Sequence, residues 1–160
     1  VTEVGFEARF IVLAGQVNAA MPRYVVDKVA DALNDQGKSI KGANILVMGV
    51  AYKPNVDDVR ESPALDVITL LVKKGANVTY HDPFVPHVGA DTWAAGRSMD
   101  SVPYSRATVA AADCVVVATN HQAFDYAELV EAARVIVDTR NAFKGSARNV
   151  FKLGAPNPGA

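Results

Sequence analysis

The sequence is short of cysteine, of any excess of charge and of long apolar runs, and each shortage excludes a class of protein. A single cysteine, Cys114, rules out an internal disulfide framework and suits a reducing cytosol. With 16 basic against 17 acidic side chains the net charge is −1. Such a balance argues against a nucleic-acid binder, which needs a basic surface to release counterions. No apolar stretch approaches the roughly 18 residues of a membrane-spanning helix. The N-terminus, Val1 to Gly5, has no basic start followed by an apolar stretch, so it does not read as a signal peptide. His81 and His87 lie close together, but one cysteine and no helical ligand spacing leave a zinc site unsupported.

What is present suits one α/β or helical domain. The chain has 160 residues, half of them hydrophobic, enough to bury a core without staples. It begins without Met and already inside a helical pattern, as expected of a piece of something longer.

Phe6, Phe10, Leu13, Val17 and Met21 recur at intervals of three and four, which predicts one helix face. After Pro22 a second series follows: Val25, Val26, Val29, Ala30 and Leu33. Proline kinks or breaks a helix interior, so the segment reads as two abutting helices or one long helix bent near Pro22, ending before Gly37. Its apolar stripe is wide enough to need a second partner, such as another subunit. Beyond it, strands are expected at 44–49, 77–81, 114–119 and 135–138, each short and apolar. Helices are expected from Ser62-Pro63 to Gly75, over 107–112, and from an Asp125-x-x-Glu128 capping box to about Ala133. Residues 83–104 show no period, although a short helix around Trp93 fits. The tail from Gly154 reads as disordered.

Alternating strands and helices imply a parallel sheet, with expected order 2-1-3-4 and the switch point between the first and third strands. Ligands of such sheets bind beyond the carboxyl ends of the strands at that switch. Segments 50–61, 119–122 and 138–141 are therefore the candidates.

The first of these lacks the G-x-G-x-x-G of a dinucleotide loop. It carries charge instead: Lys53, Asp57, Asp58, Arg60 and Glu61. Lys53 stands just past the strand tip, and Arg60 can offer a planar fork to phosphate or carboxylate. The acids would hold these cations by ion pairing, and a plain solvated loop remains open by position alone. At the fourth tip Arg140 adds a third cation, and three converging cations suit a diphosphate. For His121 the spacing favours an exposed histidine in an asparagine turn over a proton-transfer group. For Asp82 it favours a turn starter over a ribose ligand. Cys114 reads as a buried, inert thiol, Ser62 as a helix cap and Trp93 as local packing.

The whole loop Gly49-Val-Ala-Tyr-Lys-Pro-Asn-Val-Asp-Asp-Val-Arg-Glu-Ser-Pro63 resembles the signature opening the C-terminal domain of the UDP-glucose/GDP-mannose dehydrogenase family. Asn18-Ala-Ala-Met-Pro22, Tyr80-His-Asp-Pro-Phe-Val-Pro86, Thr119-x-His121 and Asp138-Thr-Arg-Asn141 stand in the family's order. Tyr80-His81-Asp82-Pro83 looks most like the branch acting on UDP-N-acetylhexosamines. The resemblance implies a Rossmann-like fold over 38–154, preceded over 1–37 by the end of a central helical dimerisation region, with 155–160 a disordered tail. It implies an NAD-dependent, four-electron oxidation of a nucleotide-sugar C6 hydroxyl to a carboxylate, through a cysteine thioester. Tyr52, Lys53 and Arg140 are then expected to bind the UDP-sugar, and Arg60 to approach NAD across a domain cleft. Expected partners are the UDP-sugar, the enzyme's own N-terminal Rossmann and central domains, and a second copy in a homodimer. Cys114 does not occupy the family's nucleophile position, so the chain is expected to be inactive alone. The competing expectations are a stand-alone Rossmann-like binding module and a dimerisation piece.

Overall fold

A computed structural model describes residues 9–145 and 147–158. Its centre is a five-stranded parallel sheet of β1 (Asn44–Met48), β2 (Asn77–His81), β5 (Cys114–Val117), β6 (Ile136–Asp138) and β7 (Val150–Lys152), in the order β2-β1-β5-β6-β7. The expected order of the first four strands is what forms. The fifth escapes a reading by pattern, because Val150-Phe151-Lys152 offers only two apolar residues between polar neighbours.

Period-two alternation explains why the central strands are apolar throughout. Ile45, Val47, Cys114, Val116, Val137 and Phe151 face one core. Leu46, Met48, Val115, Val117, Ile136 and Val150 face the other. The first core is closed by α1 (Arg9–Asp35) and α2 (Pro63–Lys73), the second by α3 (Arg106–Ala111) and α4 (Tyr126–Ala132).

Helix α1 runs unbroken through Pro22, so the single-helix alternative holds. Its second half buries Pro22, Val25, Val26, Val29 and Leu33. Its first half buries nothing: Phe10, Ile11, Leu13 and Val17 are more than half exposed, Phe10 to 88%. Phe6, the start of the expected stripe, lies outside the described residues.

Helix α2 starts at Ser62 as expected, but not by side-chain capping. The Ser62 hydroxyl is buried and has no hydrogen-bond partner among the described residues. Pro63 at the first position removes one orphan donor, and Gly75 ends the helix at φ 87°. In α4, Asp125 accepts from the Glu128 amide at 3.0 Å. Glu128 itself accepts from the Tyr104 hydroxyl at 2.6 Å, so the reciprocal half of the capping box is replaced by a tertiary bond.

The helix expected around Trp93 does not form. Residues 83–104 instead carry a small antiparallel pair, β3 (His87–Val88) and β4 (Met99–Asp100). Pro83, Pro86, Pro103 and the glycines at 89 and 96 break any helical run. Trp93 packs locally against the first core, its indole N–H donating to the Arg97 carbonyl at 2.7 Å. The tail from 155, expected to be disordered, is tied to α1 over residues 155–157. The buried Lys28 ammonium donates to the Ala155 carbonyl at 3.2 Å and the Asn157 side chain at 2.8 Å.

Candidate functional site

The site grows from the switch between β1 and β5, where the loops leave the carboxyl edge of the sheet. β1 is followed by Gly49, which adopts φ 80° and donates its N–H to the His81 carbonyl at 2.9 Å. A Cβ at this position would stand 2.7 Å from the Thr119 Cβ and nearer still to its carbonyl oxygen. Gly49 is therefore demanded twice, by conformation and by space.

From Gly49 the chain enters a loop held from three sides. Asp82, only 3% exposed, accepts the Val50 and Ala51 N–H groups on Oδ2 at 2.8 and 3.1 Å. Its Oδ1 accepts from the amides of Phe84 and Val85 at 2.8 and 3.1 Å. The turn-starting role expected of Asp82 is thus half of its work. The Thr119 hydroxyl donates to the Ala51 carbonyl at 2.6 Å, and the Tyr52 N–H closes the loop onto the Asp58 carbonyl at 2.7 Å.

His121, expected to be an exposed turn residue, is fully buried. Its Nδ1 accepts from the Asn55 N–H at 2.9 Å, and its Nε2 lies 3.0 Å from Asp82 Oδ2. The correction has a physical origin: at the switch point the tips of β1, β2 and β5 are neighbours, so a polar residue just beyond one tip finds partners on the others. That adjacency was available from the strand order alone. Gln122 completes the join, donating its N–H to Asn55 Oδ1 at 3.0 Å.

These ties present Tyr52 and Lys53 to an open cleft of about 570 Å³. Lys53 Nζ sits 5.5 Å from the Tyr52 ring centroid, in cation–π range. Arg140, from the loop after β6, lines the same cleft. The buried carboxylate of Asp138 organises that loop, accepting from the amides of Arg140, Ala142 and Phe143 at 3.0 to 3.2 Å. The Arg140 side chain reaches back to the Ala118 carbonyl at 2.6 Å through Nε. Met21, Pro22 and Val25 of α1 supply an apolar wall. Glu61 and Asp66 also line the cleft, so it is mixed in charge rather than purely cationic.

Of the three cations expected to converge, the structure brings two together. Arg60 does not line the cleft. It is exposed and forks onto Asp58, with Nε and a terminal nitrogen at 3.0 and 2.8 Å from the two carboxylate oxygens. The expected ion pairing by a loop acid is thus real, and hydrogen bonding to Arg60 holds Asp58 down to about 2. Asp66, on α2, is missed by pattern, because its place on the cleft wall depends on helix packing. Among the described residues three non-glycines have positive φ, namely Asn55 (62°), Glu61 (57°) and Asn141 (53°), and all three lie in these two loops. Backbone strain concentrates where a structure is built for binding.

Gly49, the one glycine at the start of the first loop, is packed against Thr119, so it does not offer the close backbone approach of a glycine-rich dinucleotide loop. Cys114 is buried in β5, where desolvation pushes its thiol up to about 12, far from a nucleophile's range.

Residues 46–145 match the profile of the UDP-glucose/GDP-mannose dehydrogenase family, UDP binding domain. The chain belongs to that family. The matched span runs from β1 past Arg140, so it contains Tyr52, Lys53, Arg60 and Arg140. The UDP-N-acetyl-D-mannosamine dehydrogenase of Methanococcus maripaludis is 31% identical over 149 residues, which cover 91% of this chain and 31% of that enzyme. The UDP-glucose 6-dehydrogenase of Bacillus subtilis is 31% identical over 145 residues, covering 87% and 30%. Among solved structures, the UDP-D-ManNAc dehydrogenase of Pyrococcus horikoshii superposes with a TM-score of 0.74 at 24% identity, covering 94% of this chain and 34% of that one. A UDP-glucose dehydrogenase from Pyrobaculum islandicum gives 0.61 at 31% identity, covering 87% and 30%. The chain therefore spans about a third of its dehydrogenase relatives, and its Rossmann-like sheet is their fold.

Proposed function

We propose that this chain is the nucleotide-sugar-binding domain of an NAD-dependent 6-dehydrogenase that oxidises the C6 hydroxyl of a UDP-hexose or UDP-N-acetylhexosamine. The observation that carries the reading is the cleft at the sheet's switch point. Lys53 and Arg140 come from separate loops and line one space large enough for a nucleotide. Two cations suit a diphosphate, and the aromatic face of Tyr52 with the Met21–Pro22–Val25 wall suits a flat base. The acids Glu61 and Asp66 can accept from the hydroxyl and N–H groups that a nucleotide sugar also offers. Relatives named for N-acetylmannosamine, and the Tyr80-His81-Asp82-Pro83 sequence, support the N-acetylhexosamine branch.

Arg60, outside this cleft and free to swing from Asp58, is assigned to NAD held by another region of the enzyme. In that enzyme the dinucleotide accepts hydride, while the residues of this chain bind and orient the sugar nucleotide. Calorimetric titration with UDP tests the assignment. Lys53→Ala and Arg140→Ala should each weaken binding at least about tenfold, since a hydrogen bond to a charged group contributes about 1.5–3 kcal/mol. Arg60→Ala should leave UDP affinity unchanged. Equal affinities in all four proteins would overturn the site.

A further inference from the structure

Resting on the reading of this cleft as the nucleotide site, we infer that the buried Asp82–His121 pair is a positioning device for Tyr52 and Lys53, and that it works in one tautomer of His121. Neither residue touches the cleft, and both are buried away from solvent. Between them they hold the loop at three amides. Asp82 takes Val50 and Ala51, and His121 takes Asn55, so the loop is fixed on both sides of the Tyr52–Lys53 pair. The Asn55 N–H can only donate, so Nδ1 must be the bare, accepting nitrogen. Nε2 then carries the hydrogen and donates to Asp82 Oδ2. One imidazole is thereby made an acceptor toward the loop and a donor toward the acid, with no donor or acceptor left over.

The target of this bond is itself strained. Asn55 stands at φ 62°, a conformation that a free loop visits rarely, and it is gripped twice, through its N–H by His121 and through Oδ1 by Gln122. Without the imidazole acceptor the Asn55 N–H loses its partner, and the loop is free to leave the strained turn. The ammonium of Lys53 would then be spread over many positions. A binding site that is competent a tenth of the time shows an apparent Kd raised about tenfold. His121 is thus a positioning residue, acting through Asn55 and not on the ligand.

Two substitutions separate the two ring nitrogens. His121→Asn keeps an oxygen where Nδ1 stood, and His121→Gln keeps an amide nitrogen where Nε2 stood. Amide exchange at Asn55 and UDP affinity are read in both, on the 160-residue chain. His121→Asn should keep Asn55 protected and UDP affinity within about threefold of the parent, while His121→Gln should lose the protection and about tenfold in affinity. Equal behaviour of the two variants in both readouts would overturn the inference. The parent chain gives a check independent of folding of the variants, because nitrogen chemical shifts of the imidazole report the tautomer. A hydrogen on Nδ1 would also overturn it. If the parent fails to bind UDP, the cleft assignment falls, whereas the exchange and tautomer readouts still judge the clasp.

Discussion

At the scale of single residues, the site rests on positions whose chemistry leaves little room for exchange. Gly49 combines a left-handed backbone with contact against Thr119. Gly49→Ala should cost at least about 2 kcal/mol in urea denaturation, from strain and overpacking together. A midpoint shift of a few tenths of that size would show that Thr119 yields easily. Asp113 offers a test in pH. It pairs with Lys38, lies 3.5 Å from Arg134 and accepts from the Asn44 N–H at 2.9 Å, tying the turn after α1 and the starts of β1 and β5 together. The hydrogen bond from Lys38, the Asn44 amide and the nearby positive charges hold its carboxyl below the ordinary value. A depressed folded value means stabilisation that is complete above the unfolded pKa, near 3.9, and lost as pH falls through the folded one. Asp113→Asn should therefore be less stable than the parent at neutral pH, with the gap narrowing below about pH 3.9. A gap constant into acid would contradict the assignment.

At the scale of elements, apolar pattern made the central strands legible, because β1 and β5 are buried on both faces and read as unbroken runs. The order followed from the same runs through the rule for parallel sheets. Edge strand β7 and the pair β3–β4 were not legible, since each has at most two adjacent apolar residues, whereas the equally short β6 belongs to the apolar run Val135-Ile136-Val137. Lys53 and Arg140 could be picked out because they stand just past strand tips, whereas Tyr52 was expected only from the family resemblance. Asp82 and His121 could not be ranked by spacing, because their burial depends on loops that close over them. Helix α1 divides at Pro22 into a half that packs and a half that does not. Pro22 cannot donate to the carbonyl of Asn18, so the helical ladder is weakened where the helix leaves the domain. The exposed half, with Phe10, Ile11, Val12, Leu13 and Val17, is proposed as the surface of a homodimer. Sedimentation of the chain should show self-association that grows with concentration. Removing residues 1–17 should abolish it while leaving the thermal midpoint nearly unchanged, because the buried part of α1 begins at Pro22. A monomer at every concentration would count against that face as an interface.

At the scale of the molecule, the near-neutral net charge conceals a local arrangement: Lys53 and Arg140 face Glu61 and Asp66 around one cleft. Such a mixed lining suits a ligand with both anionic and donor groups. What oxidation needs is a hydride acceptor and a nucleophile. The glycine opening the first loop is packed against Thr119, and Cys114, with its thiol pushed up to about 12, is sealed inside β5. We propose that both are supplied by other regions of an enzyme about three times the length of this chain, as the one-third coverage of the relatives suggests. The purified chain should then bind UDP yet form no NADH when given NAD with UDP-glucose or UDP-N-acetylmannosamine. Adding the remaining regions as a separate polypeptide should restore NADH formation, and Lys53→Ala should weaken that restoration by raising the concentration of chain or sugar required. NADH produced by the chain alone would place a hydride site within these residues and overturn the division of labour.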